Sequence, residues 1–166
     1  KIQKLIMEAR LILASLFYNR NLNLKIMKLL ALAIAITAEA FKNTLDKGGK
    51  PYILHCLRVM NNVQGDEDIK CAAIMHDLIE DTNYTFAQLT ALGFSDKTIG
   101  LLHLLTHQKQ TPYMEYIKAI AVSPEASEIK RRDLEDNSNI TRLKGLRKKD
   151  LDRIEKYHTA YIYLSN

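Results

Sequence analysis

The sequence predicts an all-α protein, a single helical bundle. Three observations carry that prediction. Leu, Ile, Lys and Ala dominate the composition, and all but Ile are strong helix formers. Apolar residues recur at helical spacing, and strict alternation is scarce. Only six Gly and three Pro punctuate 166 residues. With 47% hydrophobic residues the chain can bury a core, which excludes a disordered protein. No repeat, low-complexity stretch or linker divides it, so one domain over 1–166 is expected.

The elements follow in order. Residues 2–19 read as one helix and 24–45 as a second, joined by the polar connector YNRNLN. The turn DKGGKPY follows, with Pro51 at or near the start of a helix over 52–63. GDED at 65–68 places acid at the N-terminus of the next helix, read as running to residue 80. TFAQLTALG gives a short helix ended by Gly93. Ser95 caps a helix to 107, Pro112 opens one to 122, and Ser123-Pro124 opens one to 136. A last helix spans 149–164.

The formal net charge of +5 suits a polyanionic small molecule as well as nucleic acid. Arginine-aromatic interleaving and zinc-finger spacing are both missing, so nucleic acid, bound through the basic C-terminal third, is the minor reading. Cys56 and Cys71 form no CxxC pair, which points to a reducing compartment and a cytoplasmic protein. The greasiest run, LLALAIAITA at 29–38, is about half the ~20 residues a membrane span needs, so no membrane association is expected.

The stretch AIMHDLIEDT at 73–82 sets one imidazole and three carboxylates among apolar residues. On a continuous helix His76 and Glu80 share one face, and Asp77 and Asp81 a neighbouring one. Clustered carboxylates resist burial unless a cation joins them, and His with Asp suits a borderline divalent metal such as Mn²⁺, Fe²⁺ or Zn²⁺. Ligands from elsewhere are required, and His55 and Asp133 are the candidates. His103 and His107 are four apart in LLHLLTH, but no third ligand accompanies them, so packing is the expected role.

The ordered segments GKPYILH, MHDLIEDT and IKRRDLEDN resemble the HD-domain phosphohydrolases. More narrowly they resemble the alarmone-hydrolase branch, comprising the hydrolase domain of the Rel/Spo homologues and the small alarmone hydrolases. The branch pattern G-x-P-Y-I-x-H is matched by Gly49, Pro51, Tyr52, Ile53 and His55. H-D-x-x-E-D-T is matched by His76, Asp77, Glu80, Asp81 and Thr82. K-x-x-D-x-x-x-N is matched by Lys130, Asp133 and Asn137. The resemblance covers about residues 30–145.

The resemblance implies an HD-type bundle with one metal, usually Mn²⁺, on His55, His76, Asp77 and Asp133. Glu80 and Asp81 match the positions that orient or activate the attacking water. The implied reaction removes the 3′-pyrophosphate of a guanosine alarmone, and with no synthetase segment following, a stand-alone hydrolase is implied. Lys47, Lys130, Asn137 and Arg142 are the candidates for holding the phosphorylated nucleotide. Three departures stand out. Asp46 occupies a place where an Arg against the base is common, so a base-edge contact from its carboxylate, and an adenosine alarmone, come into view. Cys56 follows His55 where Pro is usual, and Asp136 replaces a frequent His. The alternatives are a hydrolase of another phosphorylated nucleotide, such as the 2′-phosphate of a dinucleotide cofactor or a nucleoside triphosphate, and a nucleotide-binding module without catalysis.

Overall fold

The structure is a computed structural model that describes residues 29–166. The helix expected over 2–19, its polar connector and residues 24–28 lie outside the described residues. The described part is helical: α1 Leu29–Ala40, α2 Ile53–Asn62, α3 Glu67–Ile74, α4 Leu78–Asp81, α5 Phe86–Ala91, α6 Asp96–Leu105, α7 Tyr113–Ile120, α8 Pro124–Ser138 and α9 Lys148–Ser165, with a 3₁₀ turn at Ile140–Arg142. Among the described residues no helix is long and apolar enough to cross a membrane.

Caps fix most boundaries where the sequence places them. The Asp66 carboxylate accepts from Ile69 N at 3.1 Å, opening α3. Ser95 Oγ accepts from Thr98 N at 3.1 Å before α6, and Ser123 Oγ from Ala126 N at 3.2 Å before α8. Thr85 and Gln88 form a reciprocal capping box on α5.

Helix α3 is the centre of the core. Cys71, Ala72, Ala73 and Ile74 are buried on every side, because α1, α2, α6 and α8 all pack on it. The small residues at 71–73 let those neighbours approach closely. Ile74, Leu102, Ile117, Ile129 and Leu134 then fill the space between helices. Truncating one such residue to Ala costs about 2–5 kcal/mol. Because α2, α3 and α8 pack on one another, residues 55, 76–77 and 133 converge.

Two expectations are corrected. The helix expected over 24–45 ends at Ala40. Beyond it Tyr52 N donates to the Thr44 carbonyl and Asp46 N to the Lys50 carbonyl, and this pairing pulls 44–52 into a closed loop. The helix expected to run to residue 80 breaks at Met75–Asp77. Met75 (φ −96°, ψ 5°) and Asp77 (φ −98°, ψ −2°) sit between helical and extended backbone. The cause is His76. Its Nδ1 donates to the Ala73 carbonyl at 2.9 Å, occupying an acceptor that a continuing helix would give to the N–H of residue 77.

Candidate metal centre and substrate cleft

The break gives the site its geometry. His76 Nε2 faces His55 Nε2 at 3.3 Å, with both rings buried. Asp77 Oδ2 lies 2.9 Å from His76 Nε2 and 3.7 Å from His55 Nε2. Asp133 Oδ1, from α8, lies 3.3 Å from His55 Nε2 and 3.5 Å from His76 Nε2. Donor atoms on adjacent corners of an octahedron with bonds of about 2.1 Å are about 3 Å apart. His55, His76 and Asp77 have donor atoms within 4.8 Å of one another, a spacing that suits one ion, and Asp133 Oδ1 lies beside both imidazoles.

The outer hydrogen bonds set the tautomers. His55 Nδ1 donates to Asp136 at 2.6 Å and His76 Nδ1 to the Ala73 carbonyl. Both Nε2 lone pairs then point at each other, which only a cation or a proton between them relieves. Burial works against a charged His55, yet hydrogen bonds to Asp133, Asp136 and Asp77 outweigh it and push its pKa up to about 11. His76 is likewise pushed up to about 9 by Asp77 and Asp133 against its burial. Asp133 is buried, yet Lys130 and the imidazoles hold it well below the usual carboxylate range. The cluster is built around positive charge, and its two imidazoles and two carboxylates fit a divalent transition metal.

The remaining predicted residues line a cleft of about 630 Å³ over this centre. Glu80 Oε2 accepts from His107 N at 3.0 Å, which fixes one oxygen and leaves the other to the cleft. Burial, then the charges of Asp77 and Glu80, raise the pKa of Asp81. Lys130 Nζ donates to Asp133 Oδ2 at 2.7 Å, and its ammonium retains further protons for a ligand. Asn137 Nδ2 donates to Asp133 Oδ1 at 2.6 Å, leaving its carbonyl oxygen as an acceptor. Lys47 and Arg142 lie in the cleft wall. His107, Tyr113 and Tyr116 line it too, whereas the His103 ring stacks on Phe86 with centroids 3.6 Å apart.

Asp46 does not offer its carboxylate to a base edge, which corrects the expectation. Oδ1 accepts from Gly48 N and Lys50 N, both at 2.9 Å, and Oδ2 from Arg142 Nη2 at 2.7 Å. These bonds leave it 4% exposed. Arg142 in turn donates to the Asp136 carbonyl at 2.7 Å and to its carboxylate. Gly48 is required here because a Cβ would run into the Arg142 carbonyl.

Sequence reasoning missed several groups. Tyr52 Oη donates to Asp77 Oδ2 at 2.5 Å, and Arg58 clamps Asp136 at 2.6 and 3.1 Å. Asp136 sits three residues after Asp133, and that spacing was the available signal for a carboxylate on the same helix face. Arg153, Lys156 and Tyr157 bring α9 into the cleft, and their i, i+3, i+4 spacing was a similar signal.

Known proteins share this fold. A solved structure of a metazoan ortholog of SpoT, described as hydrolysing ppGpp with a role in starvation responses, matches with a TM-score of 0.68. The match covers 81% of this chain and 84% of that one at 21% identity. The chain shares the all-α fold of that structure. A probable guanosine-3′,5′-bis(diphosphate) 3′-pyrophosphohydrolase of Synechocystis sp. is 36% identical over 63 residues, 36% of this chain. The matched segment spans 8% of that relative's length. No protein-family model matches. Within this fold, the His76-Asp77 pair falls in the break between α3 and α4, and the Asp133 carboxylate comes from α8.

Proposed function

We propose that this protein is a metal-dependent phosphohydrolase that removes the 3′-pyrophosphate of a guanosine alarmone such as ppGpp, with Mn²⁺ as its metal. The observation that carries the reading is the convergence of His55, His76, Asp77 and Asp133 beneath a cleft lined by Glu80, Asp81 and Lys130. Both relatives support it, since each is described as acting on such a nucleotide. Guanosine is favoured because Asp46, the feature that opened the adenosine alternative, is consumed by its own turn and by Arg142.

His55, His76, Asp77 and Asp133 would hold the ion. When bound, a divalent cation acidifies water and offsets charge on phosphoryl oxygens. Glu80, fixed by the His107 N–H, orients the attacking water and accepts its proton, and Asp81 beside it shares that task. Water oxygen bonds to phosphorus, the bond from phosphorus to the ribose 3′-oxygen breaks, and that oxygen takes up the proton that Glu80 and Asp81 received from water. Lys130 faces the pyrophosphate, and the Asn137 carbonyl oxygen can take a ribose hydroxyl. Two free, buried cysteines agree with a cytoplasmic setting, and one core running through the described residues 29–166 agrees with a single domain.

Incubation of the purified protein with Mn²⁺ and a panel of guanosine and adenosine nucleotides tests this reading. Pyrophosphate release from ppGpp is expected, abolished by chelator and restored by metal. Turnover of a 2′-phosphorylated dinucleotide or a nucleoside triphosphate in its place would overturn it.

A further inference from the structure

Glu80 is held differently from Asp77 and Asp133, the acids at the candidate ion. It is exposed, on the short helix Leu78–Asp81. Among the described residues its carboxylate accepts one hydrogen bond, from His107 N at 3.0 Å. Burial does not fix Glu80, so that bond must. We infer that the His107 imidazole aims it: His107 is a positioning residue that latches the loop 106–112 and so sets where Glu80 stands. This rests on the phosphohydrolase reading, in which Glu80 takes the proton of the attacking water, and deepens it by naming what holds Glu80 in place.

The backbone explains why a latch is needed. Helix α6 ends at Leu105, and Thr106 turns extended (φ −82°, ψ 108°). His107 N therefore leaves the helical ladder and is free to face Glu80. A loop alone could present that N–H in many directions, and the ring removes this freedom. His107 Nε2 donates to the Thr111 carbonyl at 2.8 Å, tying residue 107 to residue 111. A carbonyl oxygen only accepts, so Nε2 carries the hydrogen. Thr111 precedes Pro112, which keeps it out of α7 and leaves its carbonyl to the ring. Thr111 N donates to the Gln108 carbonyl at 2.9 Å, closing the same turn a second time.

The ring is itself seated by aromatic neighbours. The Tyr116 ring packs on it with centroids 4.6 Å apart, and the Tyr113 ring stands edge-on at 6.0 Å. Tyr116 is buried, and its hydroxyl donates to the Leu105 carbonyl at 2.5 Å, binding α7 to the last turn of α6. His103, one turn earlier on α6, takes no part, since its ring stacks on Phe86. The consequence is chemical. A proton acceptor works only within hydrogen-bond reach of the proton it takes, and a misplacement of about 1 Å can cost about 10²-fold in rate. A pinned imidazole sets that distance through the backbone.

The test compares His107→Ala with His107→Gln, whose side-chain amide can donate in place of Nε2. With ppGpp and Mn²⁺, His107→Ala should lose roughly 10–100-fold in kcat. KM, and Mn²⁺ affinity measured by titration, should stay within about twofold of wild type. His107→Gln should recover kcat to within about threefold of wild type. Three outcomes overturn the latch while leaving the hydrolase reading intact: unchanged kcat in His107→Ala, loss of metal along with turnover, or His107→Gln as slow as His107→Ala. Amide hydrogen exchange of the metal-free protein reads the same latch without turnover. The residue-107 amide should exchange about tenfold faster than wild type in His107→Ala and in Glu80→Ala, and at the wild-type rate in His107→Gln. Should His107→Ala fail to fold, the other two variants carry the test, and a fast amide in His107→Gln or a slow one in Glu80→Ala rejects the latch. If wild type leaves ppGpp intact, the hydrolase reading falls and exchange alone decides, equal rates in every variant rejecting the latch.

Discussion

The two ends of the cleft are built differently. At the acidic end the side chains of His55, His76 and Asp133 are 1%, 2% and 5% exposed, and each is held by a further hydrogen bond. At the basic end Lys47 and Lys156 are exposed, and the Lys156 ammonium sits over the Tyr113 ring. The difference follows from burial. A buried charge must be fully partnered, so its position is fixed before any ligand arrives. An exposed lysine is screened by water and remains adjustable. The acidic end therefore suits chemistry, which needs fixed geometry, whereas the basic end can adjust.

Five measurements would break or sharpen that contrast. The largest effect is expected from Asp77→Ala, which should eliminate bound metal, read by elemental analysis, together with turnover. A variant that retained one equivalent of Mn²⁺ would contradict the ligand assignment. Next, Glu80→Gln should keep the metal while kcat falls by about 10²–10⁴-fold, and unchanged kcat would remove Glu80 from proton transfer. Asp136→Asn weakens the partner that orients His55, so metal affinity by titration should drop about 10–100-fold. Affinity within twofold of wild type would make Asp136 a purely structural anchor.

Metal affinity should also depend on pH. His55 and His76 keep protons up to about 11 and 9, so metal must displace protons from the free site. Uptake should strengthen as pH rises from about 6 to 9, by up to about tenfold per proton released per pH unit, with proton release visible by calorimetry in two buffers. A flat profile would mean the rings are neutral before metal arrives. The smallest effect is expected from Asp46→Ala. Losing its bonds to Gly48, Lys50 and Arg142 should cost about 1–3 kcal/mol in denaturant unfolding. Metal affinity should hardly move, and a large change would tie the turn to the ion through Arg142 and Asp136.

Much of this was legible in the chain. Helix order and most caps follow from Asp66, Ser95, Pro112 and Ser123, because capping is local chemistry. The candidate metal ligands are visible as motif residues because each carries a group that a core would otherwise exclude. The Met75–Asp77 break was hidden because it arises from the His76 bond to the Ala73 carbonyl, which competes with a helix the periodicity favours. Asp46 was misread because its partners Lys50 and Arg142 lie four and 96 residues away. The α9 contribution was missed because Arg153, Lys156 and Tyr157 read locally as an ordinary solvated face.

The sequence by itself determined that the protein is helical, where its helices begin, and which side chains are the candidates to hold an ion, since periodicity, caps and misplaced charge are properties of short segments. Only the tertiary structure decided that the two imidazoles meet Nε2 to Nε2, that Asp136 and Arg142 join the 46–50 turn to His55, and that α9 closes the far end of the cleft. Those relations depend on how α2, α3, α8 and α9 pack, and packing is set by the whole core at once.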